Sequence, residues 1–213
     1  SRRLSKVIFP ARVGCMVSDI HALIQQFLQP QTVTALVTAE QTASADRYLK
    51  AGVVPFVRED PYRFYLMKPH AKIAGLGEPA FQLCKGTRMH HVPNVGWRDI
   101  RESGSRMPQM ETLIQTALRE GMEELGLKPD NIARLFDVGP YGFSSATTGK
   151  SKEMWLFAAE INDPDDFLAE REVAGGTAAR QWLSAGEFDV VGRQDHRYIL
   201  EDIESRLAAF YKE

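Results

Sequence analysis

The sequence predicts a layered fold of the α/β or α+β class in one sizeable domain. The chain has 213 residues, of which 44% are hydrophobic and 25% charged, which is enough apolar material for a real core. Strand-like segments lie on both sides of one sharply delimited helix, an order of elements typical of layered folds. The sequence has no internal repeat. We therefore place a single boundary near residue 50, between an N-terminal extension or small lobe (1–50) and the main domain (51–213).

The elements follow from local patterns. The extension is predicted to be partly helical, because residues 19–27 have apolar side chains at helical spacing and residues 39–49 suit a second helix. In the main domain, residues 51–59 and 63–69 have strand composition around the turn-prone Asp60-Pro61, which predicts a hairpin. The remaining predicted elements are strands at 79–86, 133–138, 153–161 and about 180–183, and a final helix at 198–211.

The central helix is predicted from about residue 108 to residue 125, with Pro108 near its start and Gly126 and Pro129 as stop signals. At about 100° per residue, its apolar side chains cover one half of the circumference. This half is made of Leu113, Ile114, Ala117, Leu118, Gly121, Met122 and Leu125. We therefore expect that face to pack in the core.

Three carboxylates converge beside this apolar face. Glu120, Glu123 and Glu124 are neighbours at helical spacing, and Arg119 relieves their repulsion only in part by pairing with Glu123. Two interpretations follow from the residues alone: a solvated charged face, or a site for a hard divalent cation, which prefers carboxylate oxygens.

Composition and charge exclude several classes of protein. With 26 basic and 28 acidic residues the formal net charge is −2, so no global field attracts nucleic acid or an anionic membrane. No basic helix suited to reading DNA is evident. Cys15 and Cys84 lie far apart, which argues against a disulfide framework or a cysteine zinc site. No apolar run approaches the roughly 20 residues that span a bilayer. We expect a cytoplasmic protein that binds neither DNA nor membranes.

The residues around the carboxylates resemble a known motif. Arg119, Glu120, Glu123, Glu124, Gly126 and Leu127 reproduce the R-E-x-x-E-E-x-G-U core of the Nudix box, and seven residues lie between Glu111 and Arg119, as the leading glutamate of the box requires. The chain thus resembles the Nudix hydrolase family. The resemblance implies an α/β/α sandwich around a mixed β-sheet, here with a partly helical N-terminal extension. It also implies hydrolysis of a pyrophosphate bond in a nucleoside diphosphate derivative with Mg²⁺ or Mn²⁺.

The resemblance assigns roles by position. Glu120 and Glu124 would be the principal metal ligands, with Glu123 as a third or water-mediated ligand, and Arg119 would orient these carboxylates. Glu120 is the first candidate for the general base, and Glu153 and Glu172 are alternatives. Together these roles give a catalytic set of Glu120, Arg119 and Glu123.

Two positions depart from the family pattern. Gly121 replaces a hydrophobic residue at a cost of up to ~1 kcal/mol in helix propensity, which we attribute to close approach of a neighbouring backbone. Ser105 stands where the box should have glycine. In the preferred register Gly86 is that glycine, and its carbonyl completes the metal shell. Residues 87–110 then contain an insertion, and Glu111 serves as a cap or loop anchor. The alternative register takes Gly96 and Glu102.

Substrate contacts and partners are predicted as well. Lys85, Arg88 and Lys68 are candidates for phosphate binding, and Tyr141 and Phe143 for stacking on a base. Trp182 is interpreted as structural. The tandem His90 and His91 are poor metal candidates, His196 and Arg197 have no supporting spacing, and SSATTGKS at 144–151 suits a hairpin loop better than a P-loop.

The expected partner is a nucleotide-derived small molecule. Many members of the family are dimers, so a homodimer is also predicted. The alternative function is a noncatalytic nucleotide-sensing or binding module.

Overall fold

A seven-stranded mixed β-sheet forms the centre of the computed structural model, which describes residues 12–29, 32–69, 80–92, 94–99, 110–144, 150–168 and 177–212. Its strand order is β1-β7-β8-β2-β3-β9, and β4 pairs with β2 beside this path. The strands of this sheet are β1 (Val33–Ala35), β2 (Lys50–Val57), β3 (Arg63–Pro69), β4 (Gly86–Thr87), β7 (Ile132–Ser144), β8 (Ser151–Ile161) and β9 (Thr177–Leu183). A separate hairpin contains β5 (Met89–Val92) and β6 (Gly96–Asp99).

Helices cover both faces of this sheet. They are α1 (Arg12–Leu28), α2 (Ala39–Ala43), α3 (Leu113–Glu120), α4 (Ala185–Val191) and α5 (Gln194–Phe210). Val53 and Val54 of β2 show the two faces, because successive strand residues point to opposite sides. Val53 packs in the core with α1 and α3, whereas Val54 packs in the core with α4 and α5. The expected α/β/α sandwich around a mixed sheet is confirmed.

The predicted hairpin of the main domain is confirmed by the antiparallel pairing of β2 with β3. Strands β7 and β8 are longer than predicted and remain paired up to Ser144 and Ser151. Residues 145–149 of the SSATTGKS stretch lie outside the described residues. Within the described part of the chain, no helix has the length and hydrophobicity needed to cross a membrane.

Two predicted elements differ in the structure. In the segment predicted as a strand at 79–86, the structure describes residues 80–86, and of these only Gly86 belongs to one of the strands given above. The chain there runs so close to β2 that a Cβ on Gly52 would lie 2.1 Å from the Cys84 carbonyl oxygen. The segment predicted as one helix at 39–49 is divided at Ser44 into α2 and a short 3₁₀ helix, Ala45–Arg47.

The described residues before 50 share the sheet and the core. Strand β1 pairs in parallel with β7, with Val33 opposite Leu135. Ile24 of α1 and Tyr48 are both buried in the core cluster that contains α3. The division of the chain at residue 50 stays a prediction.

Candidate metal and catalytic site

The helix of the box begins later than the sequence predicts. Residues 110–112 are not helical, and Thr112 caps α3 through a capping box in which its hydroxyl accepts from the Gln115 N–H and the Gln115 side chain accepts from the Thr112 N–H. Pro108 lies outside the described residues. After Glu120 the helix widens into a π-type turn, Gly121–Leu125, and it ends at Gly126 with φ 71°. The stop signal at Gly126 is confirmed, because the left-handed conformation favours glycine.

Gly121 lies where the helix meets strand β2. A Cβ at this position would lie 2.6 Å from Val53 Cγ1 and 3.1 Å from Leu127 Cδ2. The close approach is therefore to neighbouring side chains rather than to a backbone. It brings the π-type turn, and with it Glu123 and Glu124, against the sheet.

We expect Gly121→Ala to lower the free energy of unfolding by about 1–2 kcal/mol, although alanine is the better helix former. The added methyl group would overlap Val53 Cγ1. In a Val53→Ala background the same change should cost less, with a coupling of about 1 kcal/mol in a double-mutant cycle. Urea unfolding of the four variants measures it. If Gly121→Ala were as stable as the parent, the contact with Val53 would not be what restricts position 121 to glycine.

Arg119 is the centre of the site. Its side chain is only 2% exposed, and its guanidinium donates to Glu120 Oε1 at 2.7 Å and to Glu123 Oε2 at 2.8 Å. Three further bonds reach Glu111 Oε1 at 2.8 Å, Glu111 Oε2 at 3.3 Å and the Thr87 carbonyl at 2.9 Å. Burial lowers the pKa of Arg119, but the surrounding carboxylates outweigh it and raise the pKa above its ordinary value. Arg119 therefore fixes Glu120 and Glu123 relative to Thr87 of strand β4.

Glu111 is completely buried and anchors this network. Its carboxylate accepts the backbone N–H of Met89 at 2.7 Å and the Thr116 hydroxyl at 2.9 Å. His21 Nε2 of α1 lies 2.6 Å from Glu111 Oε1, and since an ionised carboxylate only accepts, Nε2 carries the hydrogen. Burial raises the pKa of Glu111, but the bonds from His21 and Arg119 outweigh it and lower the pKa to about 2. Glu111 thus joins α1, β5 and α3.

Sequence reasoning missed His21 and Trp97. The His21 ring stacks on the Trp97 ring of β6, with centroids 3.9 Å apart and planes 1° apart. His21 stands three residues before the buried Ile24, so the helical spacing of α1 placed it on the inner face. This helical spacing could have identified His21 as an inward-facing residue, but no local pattern indicated that it would contact Glu111 and Trp97.

The low pKa of Glu111 predicts a pH dependence. Because its folded-state pKa lies below its ordinary value of 4.5, ionised Glu111 contributes stability that is fully present above that value. This contribution is lost as the pH falls towards a pKa of about 2. The free energy of unfolding should therefore fall more steeply on acidification in the wild type than in Glu111→Gln. Urea unfolding at several pH values between 2 and 6 measures both slopes, and parallel slopes would contradict the assignment.

Burial makes the ionised forms of Glu120, at the end of α3, and of Glu123 and Glu124, in the π-type turn, less favourable. Burial, followed by repulsion from Glu124 and Glu123, raises the pKa of Glu120 to about 7 against the opposing effect of Arg119. Burial also raises the pKa values of Glu123 and Glu124. Glu124 accepts hydrogen bonds from the Cys84 thiol and the Lys85 N–H. Such a set of partly desolvated oxygen ligands fits a hard divalent cation.

Gly86 lies directly against Glu120. A Cβ at this position would be 1.7 Å from Glu120 Oε1, so only glycine leaves room for that carboxylate. In the alternative register, Gly96 lies in β6 with nothing within 4 Å of an added Cβ, and Glu102 lies outside the described residues. In the part of the chain that is described, no three His, Cys, Asp or Glu side chains are already arranged as a metal site. Arg119 bridges Glu120 and Glu123 in this arrangement.

Lys85 and Phe143 lie together beside the carboxylates. Lys85 Nζ is 5.2 Å from the centroid of the Phe143 ring, and its backbone N–H donates to Glu124. Burial, with repulsion from Arg193, lowers the pKa of Lys85 to about 8. These two candidates for substrate contact are thus near the box.

Two other substrate candidates, Arg88 and Tyr141, are placed differently from the predictions, whereas the role of Lys68 stays a prediction. Arg88 is 4% exposed, and its guanidinium donates to the carbonyls of Glu111 and Tyr48, so it supports the interior rather than a phosphate. Tyr141 is buried and donates to Asp202 Oδ2 at 2.7 Å, with its ring in the core. Lys68 on β3 has its Nζ 5.0 Å from the centroid of Phe81.

The remaining singled-out residues do not join the carboxylates. Trp182 packs on Tyr65 and Phe167, in agreement with a structural role. His90 is buried without a partner for its ring nitrogens among the described residues, and His91 packs on Trp97. The alternative bases differ in status: Glu153 is exposed on β8, whereas Glu172 lies outside the described residues.

Comparisons with known proteins agree with this architecture. No protein-family model matches the chain, and no curated protein matches it. A crystal structure of a C. elegans Ap4A hydrolase binary complex is similar, with a TM-score of 0.51 and 17% identity over 75% of this chain and 97% of that one. The Nudix domain of Shewanella oneidensis NrtR with ADP ribose matches at a TM-score of 0.49 and 15% identity over 81% and 99% of the two chains.

This chain has the Nudix fold. The E. coli dihydroneopterin triphosphate pyrophosphohydrolase is also similar, with a TM-score of 0.47 and 15% identity over 72% of this chain and 94% of that one. At such identities the likeness concerns the fold. The Nudix box residues therefore have to be judged by their own geometry in this chain.

Proposed function

We propose that this protein hydrolyses a pyrophosphate bond in a nucleoside diphosphate derivative, such as a dinucleoside polyphosphate or a nucleotide sugar, with Mg²⁺ or Mn²⁺. One observation carries the proposal: Glu120 and Glu123 meet on Arg119, beside a glycine that leaves room for Glu120. Glu120 and Glu123 each keep a carboxylate oxygen that Arg119 does not bind, and Arg119 holds both side chains in a fixed orientation. The Ap4A hydrolase among the similar structures supports the same class of reaction.

The residues that would hold the ion are Glu120, Glu123, Glu124 and the carbonyl of Gly86. When bound, the ion neutralises charge on the phosphates and makes water a better nucleophile. Glu120 accepts a proton from the attacking water as the general base, because its carboxylate lies beside the position of the ion and Arg119 holds its orientation. Arg119 orients Glu120 and Glu123 through charge-assisted hydrogen bonds. Lys85 stabilises negative charge on the substrate beside Glu124.

The direct test is a panel of nucleoside diphosphate derivatives incubated with the full chain and Mg²⁺ or Mn²⁺, followed by identification of the products. We expect cleavage of at least one substrate at a phosphoanhydride bond and loss of cleavage in excess EDTA. Glu153→Gln is a control for the base, because it removes the exposed alternative on β8 without touching Arg119. Absence of any product, combined with specific nucleotide binding by the folded chain, would support the noncatalytic sensing module instead.

A further inference from the structure

A second binding feature adjoins the carboxylates. A pocket of about 270 Å³ opens between the residues that precede β2, strand β4 and the start of β8. Its walls include Arg47, Tyr48, Lys50, Thr87, Lys152 and Glu153. None of its basic side chains belongs to the box.

The pocket begins one residue from the site. Thr87 forms part of its wall, and the Thr87 carbonyl accepts the bond from Arg119 Nη2 at 2.9 Å. The preceding residue, Gly86, lies against the carboxylate of Glu120. Lys50 is paired with Thr87 across the two strands, and its Nζ donates to the Thr87 hydroxyl at 3.2 Å. Thr87 therefore lies between this pocket and the residues that surround Glu120.

The charge of the pocket is opposite to that of the chain. It has three cationic side chains against the single carboxylate of Glu153, whereas the whole chain has a formal net charge of −2. An ion pair within it joins Arg47 and Glu153 at 3.9 Å, with side chains 62% and 59% exposed, and Arg47 Nη2 also donates to the Tyr48 hydroxyl at 2.7 Å. Exposed ion pairs of this kind contribute little, so the pair with Glu153 does not prevent Arg47 from binding another anion. Arginine and lysine are the side chains that recognise phosphate.

The size of the pocket limits what it holds. Sites for a whole small molecule usually measure about 300–1,000 Å³, so a pocket of about 270 Å³ accommodates part of a substrate. We propose that it binds the phosphate groups beyond the scissile bond. This inference rests on the proposed function and narrows the substrate class to chains of three or more phosphates, either nucleoside triphosphates or dinucleoside polyphosphates. Nucleotide sugars, which place a neutral sugar there, are the poorer substrates.

The kinetic test uses the full chain with Mg²⁺ and three substrates: ATP, diadenosine tetraphosphate and ADP-ribose. We expect Lys152→Glu and Arg47→Glu each to raise KM for the two polyphosphates by about tenfold, since each loses one charge-assisted contact. For ADP-ribose, kcat/KM should stay within about twofold. Lys212→Glu, at the exposed end of the chain after α5, makes the same change in net charge and should alter none of the three. Whether ATP or diadenosine tetraphosphate is preferred by the wild type distinguishes the two polyphosphate classes.

A binding experiment tests the pocket independently of turnover. Inorganic tripolyphosphate is titrated in EDTA against the wild type and the three variants, and we expect about tenfold weaker binding only for Lys152→Glu and Arg47→Glu. Equal binding by all four proteins, or equal changes in KM for all three substrates, would overturn the pocket assignment. Loss of all turnover with the binding difference retained would instead count against the proposed hydrolysis alone.

Discussion

Glu120→Gln is expected to lower kcat by about 10³-fold while leaving the fold intact. The amide loses both the charge that a cation needs and the basicity that accepts a proton. Its oxygen can still accept the 2.7 Å bond from Arg119 Nη1, so the orientation of the turn is kept. Initial rates with saturating substrate and Mg²⁺, together with circular dichroism of both proteins, separate loss of chemistry from loss of structure.

The stability of the same variant provides an internal check. Burial raises the pKa of Glu120 to about 7 from an ordinary value of 4.5, so without metal the ionised form costs the folded state free energy as the pH rises through this interval. In EDTA, Glu120→Gln should therefore be at least as stable as the wild type above neutral pH. Glu201→Gln on α5 is a matched control, because this exposed side chain pairs with the neighbouring Arg197 on its own helix, away from the box.

Glu124→Gln should show the same loss of activity, because Glu124 belongs to the same carboxylate set. If both variants kept full activity on a substrate that the wild type cleaves, the assignment of a catalytic metal site would be wrong. Partial activity in Glu120→Gln alone would move the general base to another residue. In that case the exposed Glu153 on β8 is the next position to replace.

Glu111→Gln is expected to lower the free energy of unfolding by about 3 kcal/mol. Arg119 is only 2% exposed, and this change removes its bonds to an ionised Glu111 at 2.8 and 3.3 Å. A buried guanidinium that loses a charged partner is costly, although Glu120 and Glu123 remain. We expect activity to fall as well, because Arg119 then holds Glu120 and Glu123 less firmly. Urea unfolding and initial rates measure the two effects.

His21→Phe is the companion variant. Phenylalanine keeps a ring to stack on Trp97 but donates no hydrogen bond to Glu111, which retains its bonds from Arg119, Thr116 and the Met89 N–H. The expected loss is about 1 kcal/mol, the usual value of one hydrogen bond. Equal losses in His21→Phe and Glu111→Gln would contradict the view that the charge of Arg119 dominates this network.

The N-terminal residues take part in this network although they lie far from the box in sequence. His21 and Glu111 are separated by 90 positions, and Trp97 comes from the hairpin of β5 and β6 between them. Helical spacing indicates which face of α1 turns inwards, but it contains no information about which distant carboxylate will meet that face. The same limit applies to Arg88 and Tyr141. The local sequence predicted that both contact the substrate, whereas tertiary packing turns both side chains towards the interior.

Short-range patterns alone were enough to determine the layered architecture, the β2-β3 hairpin, the inward face of α3 and the convergence of the carboxylates beside that face. These features depend on spacings of two to four residues, which recur in any chain with the same order of side chains. The start of α3 at Thr112, the π-type turn, the fit of Glu120 against Gly86 and the anchoring of Glu111 by His21 were decided only in the tertiary structure. Each of these depends on which distant segments pack together, and burial then determines the charge and the hydrogen bonds of the residues between them.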